Sequence, residues 1–414
     1  MRQLGTMITL IAVLLCGHAQ AAKTWYVDPK AGKSDGAGTQ ESPWRTLAEA
    51  VSKGQLRRVE PGDTVLLRSG YHGDVKISGD NAEVITIAAE KGAKPTLSRL
   101  TITSGSKWRV RGLTVSPSFG EKPYKGHMVT VAEGGPSSDL AVEDCFVYTA
   151  LDASKWDAAQ WMSANSGILM GRHGKKITLR NNYVLNTRFG INLCSENSVC
   201  EGNVISDFSG DGIRVTRDGL TVQHNVIKNI YVGAKDGDRN HDDGIQCFLF
   251  NKGHGTLRRA KVVGNIIINR EDANQKWPTG MQGIGFFDGP LVDFVVTDNV
   301  VAVDHWHGVS LYDAQGCRIE RNVAWNAWGK RMATWVRLGG KVGEGNVVRG
   351  NYACSFRLGG DGVTASDNKP CTERIYRQAL EKALKTINEK YGRVHPAAGC
   401  ARLGKRKAPK PLKE

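Results

Sequence analysis

The sequence predicts an all-β fold, a right-handed parallel β-helix with a capping helix at its N-terminal end and another at its C-terminal end. Three observations predict it. Two short motifs alternate through the centre of the chain. Their shortest spacings are 21 to 23 residues. No leucine scaffold accompanies them. A period near 22 built from short β-rich segments marks strands stacked as a solenoid. Length alone would let 414 residues form two or three domains, but the repeat joins them into one stack. The 49 glycines suit a fold with many tight turns.

The chain opens with Arg2, an apolar run from Met7 to Cys16 and the small-x-small triplet Ala19-Gln20-Ala21. Residues 1–21 therefore read as a cleaved signal peptide, since the run is too short to span a bilayer. The mature protein is expected to be periplasmic or secreted. No later stretch could cross a membrane, so no membrane contact is expected. Eight of the nine cysteines follow the leader, and export makes disulfides possible. Cys371 with Cys400 and Cys194 with Cys200 are the pairs considered.

Residues 22–360 are read as the β-helix domain. Trp25-Tyr26-Val27 is its first strand. Pro43 to Lys53 predicts a short helix plugging the open end of the core. Pro61-Gly62-Asp63 turns into a strand from Thr64 to Arg68. The repeat follows. One half is a Gly-Ile strand start: Gly167-Ile168, Gly190-Ile191, Gly212-Ile213, Gly244-Ile245, Gly283-Ile284 and Gly308-Val309. The other half is Asn before apolar residues, at Asn182, Asn203, Asn225, Asn265, Asn299, Asn322 and Asn351. One such Asn per coil fits a turn where the side chain bonds the backbone of the next coil. Residues 361–400 form a helical cap. Thr372 caps a helix running to Tyr391 with Gly392 as its stop. Its apolar stripe, Tyr376, Leu380, Leu384, Ile387 and Tyr391, is expected over the last coils. Residues 401–414 read as a basic disordered tail with a net charge of +5.

The whole chain carries a net charge of +15, which favours a polyanionic partner. Nucleic acid is one polyanion, but an exported protein meets uronic-acid polymers instead. The expected partner is an acidic polysaccharide, with no nucleic acid, and the expected state is a monomer.

Three insertions, about 148–166, 230–243 and 269–282, fall at equivalent points between an Asn half and the next Gly-Ile half. Stacked on one side, they would wall a groove whose floor is the Gly-Ile strands. Alternation sends Ile168, Ile191, Ile213, Ile245, Ile284 and Val309 inward. One outward column is then Leu169, Asn192, Arg214, Gln246, Gly285 and Ser310. A second is Thr216, Phe248, Phe287 and Tyr312, whose aromatic rings suit stacking on sugars. Just before the strands lie Asp211, Asn240-His241-Asp242-Asp243, Gln282 and His305-Trp306-His307. Asp211, Arg214, His241, Asp242 and Asp243 thus fall about one strand spacing apart. Like charges so close repel unless a cation or a substrate group compensates them.

The segments WYVDPKAGKSDGAGTQESPWRTLAEAV and PGDTVLLRSGYHGD resemble the N-terminal coil of pectin-lyase-like β-helix proteins. These include pectate, chondroitin and alginate lyases and mannuronan C5-epimerases. With the coils, the resemblance spans roughly residues 23–360. The acidic cluster is similar to the calcium-binding coils of family 9 pectate lyases. That resemblance implies Asp211, Asp242 and Asp243 as Ca2+ ligands, with Gln246 where the family has a further Asp. Gly285 stands where the family has its catalytic lysine, so the resemblance supplies no base. Asn240-His241-Asp242-Asp243 approximates the epimerases' Asp-Pro-His-Asp.

β-Elimination and C5 epimerisation of uronates both begin by removing the proton α to a carboxylate. The enzyme must neutralise that carboxylate, supply a base and reprotonate. Arg214 is the residue for neutralisation. His241 is the leading base, and His307 or Tyr312 the acid. Arg188, Asn192, Gln246, Phe248, Phe287 and Lys235 are the substrate contacts, with Lys276 beside Lys235 on the groove walls. His254 reads as a turn residue. Four functions fit these residues: a lyase first, then an epimerase, a hydrolase using Asp211 with Asp242 or Asp243, and a non-catalytic polysaccharide-binding protein.

Overall fold

A computed structural model describes residues 21–232, 242–247, 255–327 and 333–392. Each central coil contributes three short strands. The Gly-Ile strands come first, for example Ser166–Met170, Ile191–Leu193, Ile213–Val215, Asp243–Cys247, Gln282–Phe286 and His307–Tyr312. A second strand follows, as in Val199–Glu201, and then a third, as in Val204–Phe208. Each pairs in parallel with its counterpart one coil away. The third strands form a 12-stranded sheet of their own.

The inward residues behave as alternation requires. Ile168, Ile191, Ile213, Ile245, Ile284 and Val309 are completely buried in one continuous core. The asparagine column lies at the turn between second and third strands. The backbone N–H of Asn203 donates to Asn225 Oδ1 at 2.9 Å, that of Asn225 to Asn265 Oδ1 at 3.0 Å, and that of Asn265 to Asn299 Oδ1 at 2.9 Å. The column continues through Asn322 and Asn351 to Asn368, one coil beyond the sequence motif. The residue before each ladder Asn is left-handed, including His224 (φ 55°) and Arg321 (φ 54°). Side chains with a Cβ adopt that backbone at a cost, which the ladder's hydrogen bonds offset.

At the N-terminal end, helix α1 (Leu47–Ser52) is capped by Thr46, whose side chain accepts from the Glu49 N–H. Leu47 and Ala50 are fully buried, and Trp44 stacks on Trp25 at 5.1 Å. This is the predicted plug. Helix α2 (Ala158–Ser163) lies within the first insertion and has an Asp157–Gln160 capping box.

Helix α3 (Glu373–Tyr391) begins at Thr372, whose side chain accepts from the Ile375 N–H. Its stripe does not sit on the end of the stack. Leu380, Leu384 and Ile387 pack on Tyr183, Val204, Val226, Ile266 and Val300, the outer face of the third strands. Tyr376 stacks on Trp325, and the Tyr391 hydroxyl reaches Glu201 at 3.0 Å. From Tyr376 to Tyr391 the helix rises about 22 Å, matching four to five coils at about 4.8 Å each. The third-strand face is apolar on its outside, so it is the surface that needs this cover.

The cysteines of the described residues are free thiols. Cys194 and Cys200 do not pair. Cys200 lies in the core beside Asn203 and burial pushes its thiol up. Cys400 lies outside the described residues.

Candidate functional site

The outward column of the first strands stands as alternation predicts. Leu169 pairs with Asn192, Asn192 with Arg214, Arg214 with Gln246, Gln246 with Gly285 and Gly285 with Ser310. Arg214 and the Asp242-Asp243 segment are brought together by this register. Arg214 Nε donates to Asp211 Oδ2 at 2.5 Å, and the Asp243 N–H donates to Asp211 Oδ1 at 2.9 Å. The Arg214 guanidinium also lies 3.8 Å from the centre of the Phe189 ring, a cation–π contact. About a quarter of the Arg214 side chain stays exposed (23%), whereas Asp211 is buried.

Asp243 is completely buried. Gln246 donates to its Oδ2 at 3.1 Å, and its Oδ1 has no hydrogen-bond partner among the described residues. A Cβ on Gly285 would lie 2.2 Å from that oxygen, so glycine at this position makes room for the carboxyl. Burial, followed by the charges of Asp211 and Asp242, pushes Asp243 well above the usual carboxylate range. Burial also raises Asp211, against the pull of Arg214. Arg214 and Arg188 both act against burial at Asp211, whereas at Asp243 two like charges add to burial.

The oxygens leave little for calcium. Asp211 commits one oxygen to Arg214 and the other to a backbone N–H, and Asp243 commits one to Gln246. Calcium takes six to eight oxygens. Among the described residues no group of three His, Cys, Asp or Glu side chains is disposed to hold a metal ion. Of the four carboxylate oxygens of Asp211 and Asp243, Asp243 Oδ1 alone has no hydrogen-bond partner among the described residues.

His127, which the sequence reading missed, joins the site. It lies at the start of the strand His127–Val131, and its Nε2 stands 3.0 Å from Asn192 Nδ2. The Asn192 Oδ1 is buried without a partner among the described residues. Burial first and Arg214 second lower His127 to about 4, so its ring is neutral at ordinary pH. A histidine 65 residues from its partner in sequence leaves no local signal.

The other expected residues fall into three groups. His307 and Tyr312 lie beside the column. Trp335 Nε1 donates to His307 Nδ1 at 3.2 Å, and Ser310 Oγ is 2.8 Å from the same nitrogen. An indole N–H can only donate, so a neutral His307 carries its proton on Nε2. Phe287 and Tyr312 meet edge to face at 5.2 Å, and His307 packs on Phe287 at 4.9 Å. Arg188 and Thr216 are instead turned inward. Arg188 is 8% exposed and donates to the Ser209 carbonyl, while Thr216 is buried and donates to the Leu193 carbonyl at 2.8 Å. The strand ends at Val215, and with it the alternation that placed Thr216 outward. His241, Lys235 and Phe248, with Asn240 and His254, lie outside the described residues. Lys276 folds onto the first insertion, where its Nζ is 3.5 Å from the Trp156 carbonyl.

A cavity of about 460 Å³ lies away from this column, between the insertions around residues 151–161 and 271–277. Its rings pack on one another. Trp161 stacks on Tyr231 at 4.2 Å, and Trp277 Nε1 donates to the Trp156 carbonyl at 3.1 Å. Glu271 pairs with Lys228 at 2.8 Å. These contacts join the loops to each other.

Comparison with known proteins agrees with the architecture. Residues 166–369, just under half of the chain, match the family model described as right handed beta helix region. The protein is a right-handed parallel β-helix protein. Pectate lyase Pel9A is 12% identical, with a TM-score of 0.47 over 84% of this chain and 80% of its own. The Azotobacter vinelandii mannuronan C-5 epimerase AlgE6 A-module is 14% identical, with a TM-score of 0.49 over 79% of this chain and 94% of its own. The GH136 lacto-N-biosidase from Eubacterium ramulus is 13% identical, with a TM-score of 0.48 over 85% and 67%. No curated protein matches the sequence.

Proposed function

We propose that the protein is a polysaccharide lyase that cleaves a uronate-containing polymer by β-elimination. One observation carries this reading: Arg214 stands partly exposed in the outward column, one coil from Asn192 and its imidazole partner His127. Arg214 binds the uronate carboxylate and stabilises the charge that develops when the α proton leaves. His127 takes that proton; His241, the base expected from the sequence, lies outside the described residues. Electrons of the C5–H bond form the C4=C5 double bond, and the C4–O bond breaks. The leaving oxygen takes a proton from solvent, since Asp243 is fully buried beneath Gln246. Part of what lowers His127 is the charge of Arg214. A substrate carboxylate on Arg214 cancels that charge, so the imidazole becomes more basic when substrate is bound. No step is routed through a metal ion. The leader-like residues 1–21 support action outside the cytoplasm.

The test is incubation with pectate, alginate, glycosaminoglycans and bacterial exopolysaccharides, with and without a chelator. Ultraviolet absorbance from unsaturated ends is the expected result. C5 proton exchange without chain shortening would replace the lyase by an epimerase. Saturated reducing ends would replace it by a hydrolase. His127→Ala and His241→Ala, assayed side by side, assign the base.

A further inference from the structure

We infer that Arg337 and Arg357 form a second anion-binding subsite, which holds carboxylates of the same polymer well beyond Arg214. The inference rests on the uronate reading above. The column that carries Asn192, Arg214, Gln246, Gly285 and Ser310 does not stop there. Ser310 pairs with Arg337, and Arg337 with Arg357, on the strands Trp335–Gly339 and Ser355–Leu358. The two arginines thus stand side by side on adjacent coils, their backbones about 4.8 Å apart along the stack. Like charges at that spacing repel unless an anion sits between them.

Most surface arginines of this protein have such an anion. Arg99 pairs with Asp74, Arg111 with Asp144, and Arg321 with Asp298 and Glu320. Arg337 and Arg357 have no hydrogen bond or ion pair within the described residues; the contacts found for them are with rings. Both lie over Trp335, at 5.3 and 4.6 Å, and Arg337 also lies 5.2 Å from the Tyr312 ring. Trp335 is fixed by its bond to His307 and is 7% exposed. The indole positions the two cations and leaves their donors to a ligand. An arginine fork suits a carboxylate.

Arg337 is four coils from Arg214 and Arg357 is five, about 19 and 24 Å along the stack. A ligand that reaches both positions is an extended chain lying parallel to the solenoid axis, with its carboxylates recurring along one edge.

Binding tests this apart from turnover. The full-length protein is titrated calorimetrically with polygalacturonate and alginate, and with oligomers too short to span four coils. The double variant Arg337→Gln, Arg357→Gln is expected to bind the polymer at least tenfold more weakly, with a shallower salt dependence. The double lysine variant is expected to recover part of the loss, which also controls for folding. The effect should disappear for the short oligomers. An unchanged polymer affinity in the glutamine variant would overturn the subsite and leave the assignment of Arg214 standing. A wild-type protein that binds neither polymer would overturn both. Tighter, arginine-dependent binding of a sulfated glycan would overturn the carboxylate assignment.

Discussion

The two outer faces of the same coil have opposite fates. The first strands face outward with Asn192, Arg214, Gln246 and Arg337, whereas Ser310 in the same column is buried under His307. The third strands face outward with Tyr183, Val204, Val226, Ile266 and Val300, and α3 covers them. Both faces share one stacking geometry and one core. The coil is therefore a neutral support, and the outward side chains decide whether a face is covered by the protein's own helix or left open for a ligand. Changes on the first face should act mainly on chemistry. Changes on the third should do the reverse.

The largest effect that can break this contrast is on the polar face. His127→Ala is expected to lower turnover roughly 10²- to 10⁴-fold, the range for losing a general base. Arg214→Ala is expected to lower it roughly 10²- to 10³-fold. Thermal unfolding should show both variants folded. Full activity in either removes that residue from the mechanism. On the covered face, Leu384→Ala removes a side chain that is 6% exposed. It should cost about 2–3 kcal/mol in denaturant unfolding, with turnover retained. A fall in activity of the kind seen for Arg214 would show that the faces are coupled. Asn265→Ala strikes the part both faces share. It orphans the Asn225 N–H and the Val222 carbonyl, and a loss of about 1–3 kcal/mol is expected.

A separate effect is in the pH dependence of stability. His127 sits at about 4 in the folded protein against an ordinary 6.5. As pH falls below 6.5 the unfolded chain takes up the proton first. The contribution of neutral His127 is thus complete above 6.5 and is lost as pH falls toward 4. His127→Gln should flatten unfolding free energy across that window. An unchanged slope would mean that burial does not disfavour the charged ring.

How much was legible depended on distance along the chain. The ladder asparagines, the Gly-Ile strands and the column from Leu169 to Ser310 follow from a period that can be counted. The helix from Thr372 to Tyr391 follows from its cap and its 3.6-residue stripe. These features are local, and each coil repeats the rule of the one before. The partnership of His127 with Asn192, the room that Gly285 gives Asp243, the course of α3 along the third strands and the stacking of Arg337 and Arg357 on Trp335 were decided only by the tertiary structure. They depend on which side chains meet across coils, and insertions of unequal length between repeats erase that information from sequence spacing.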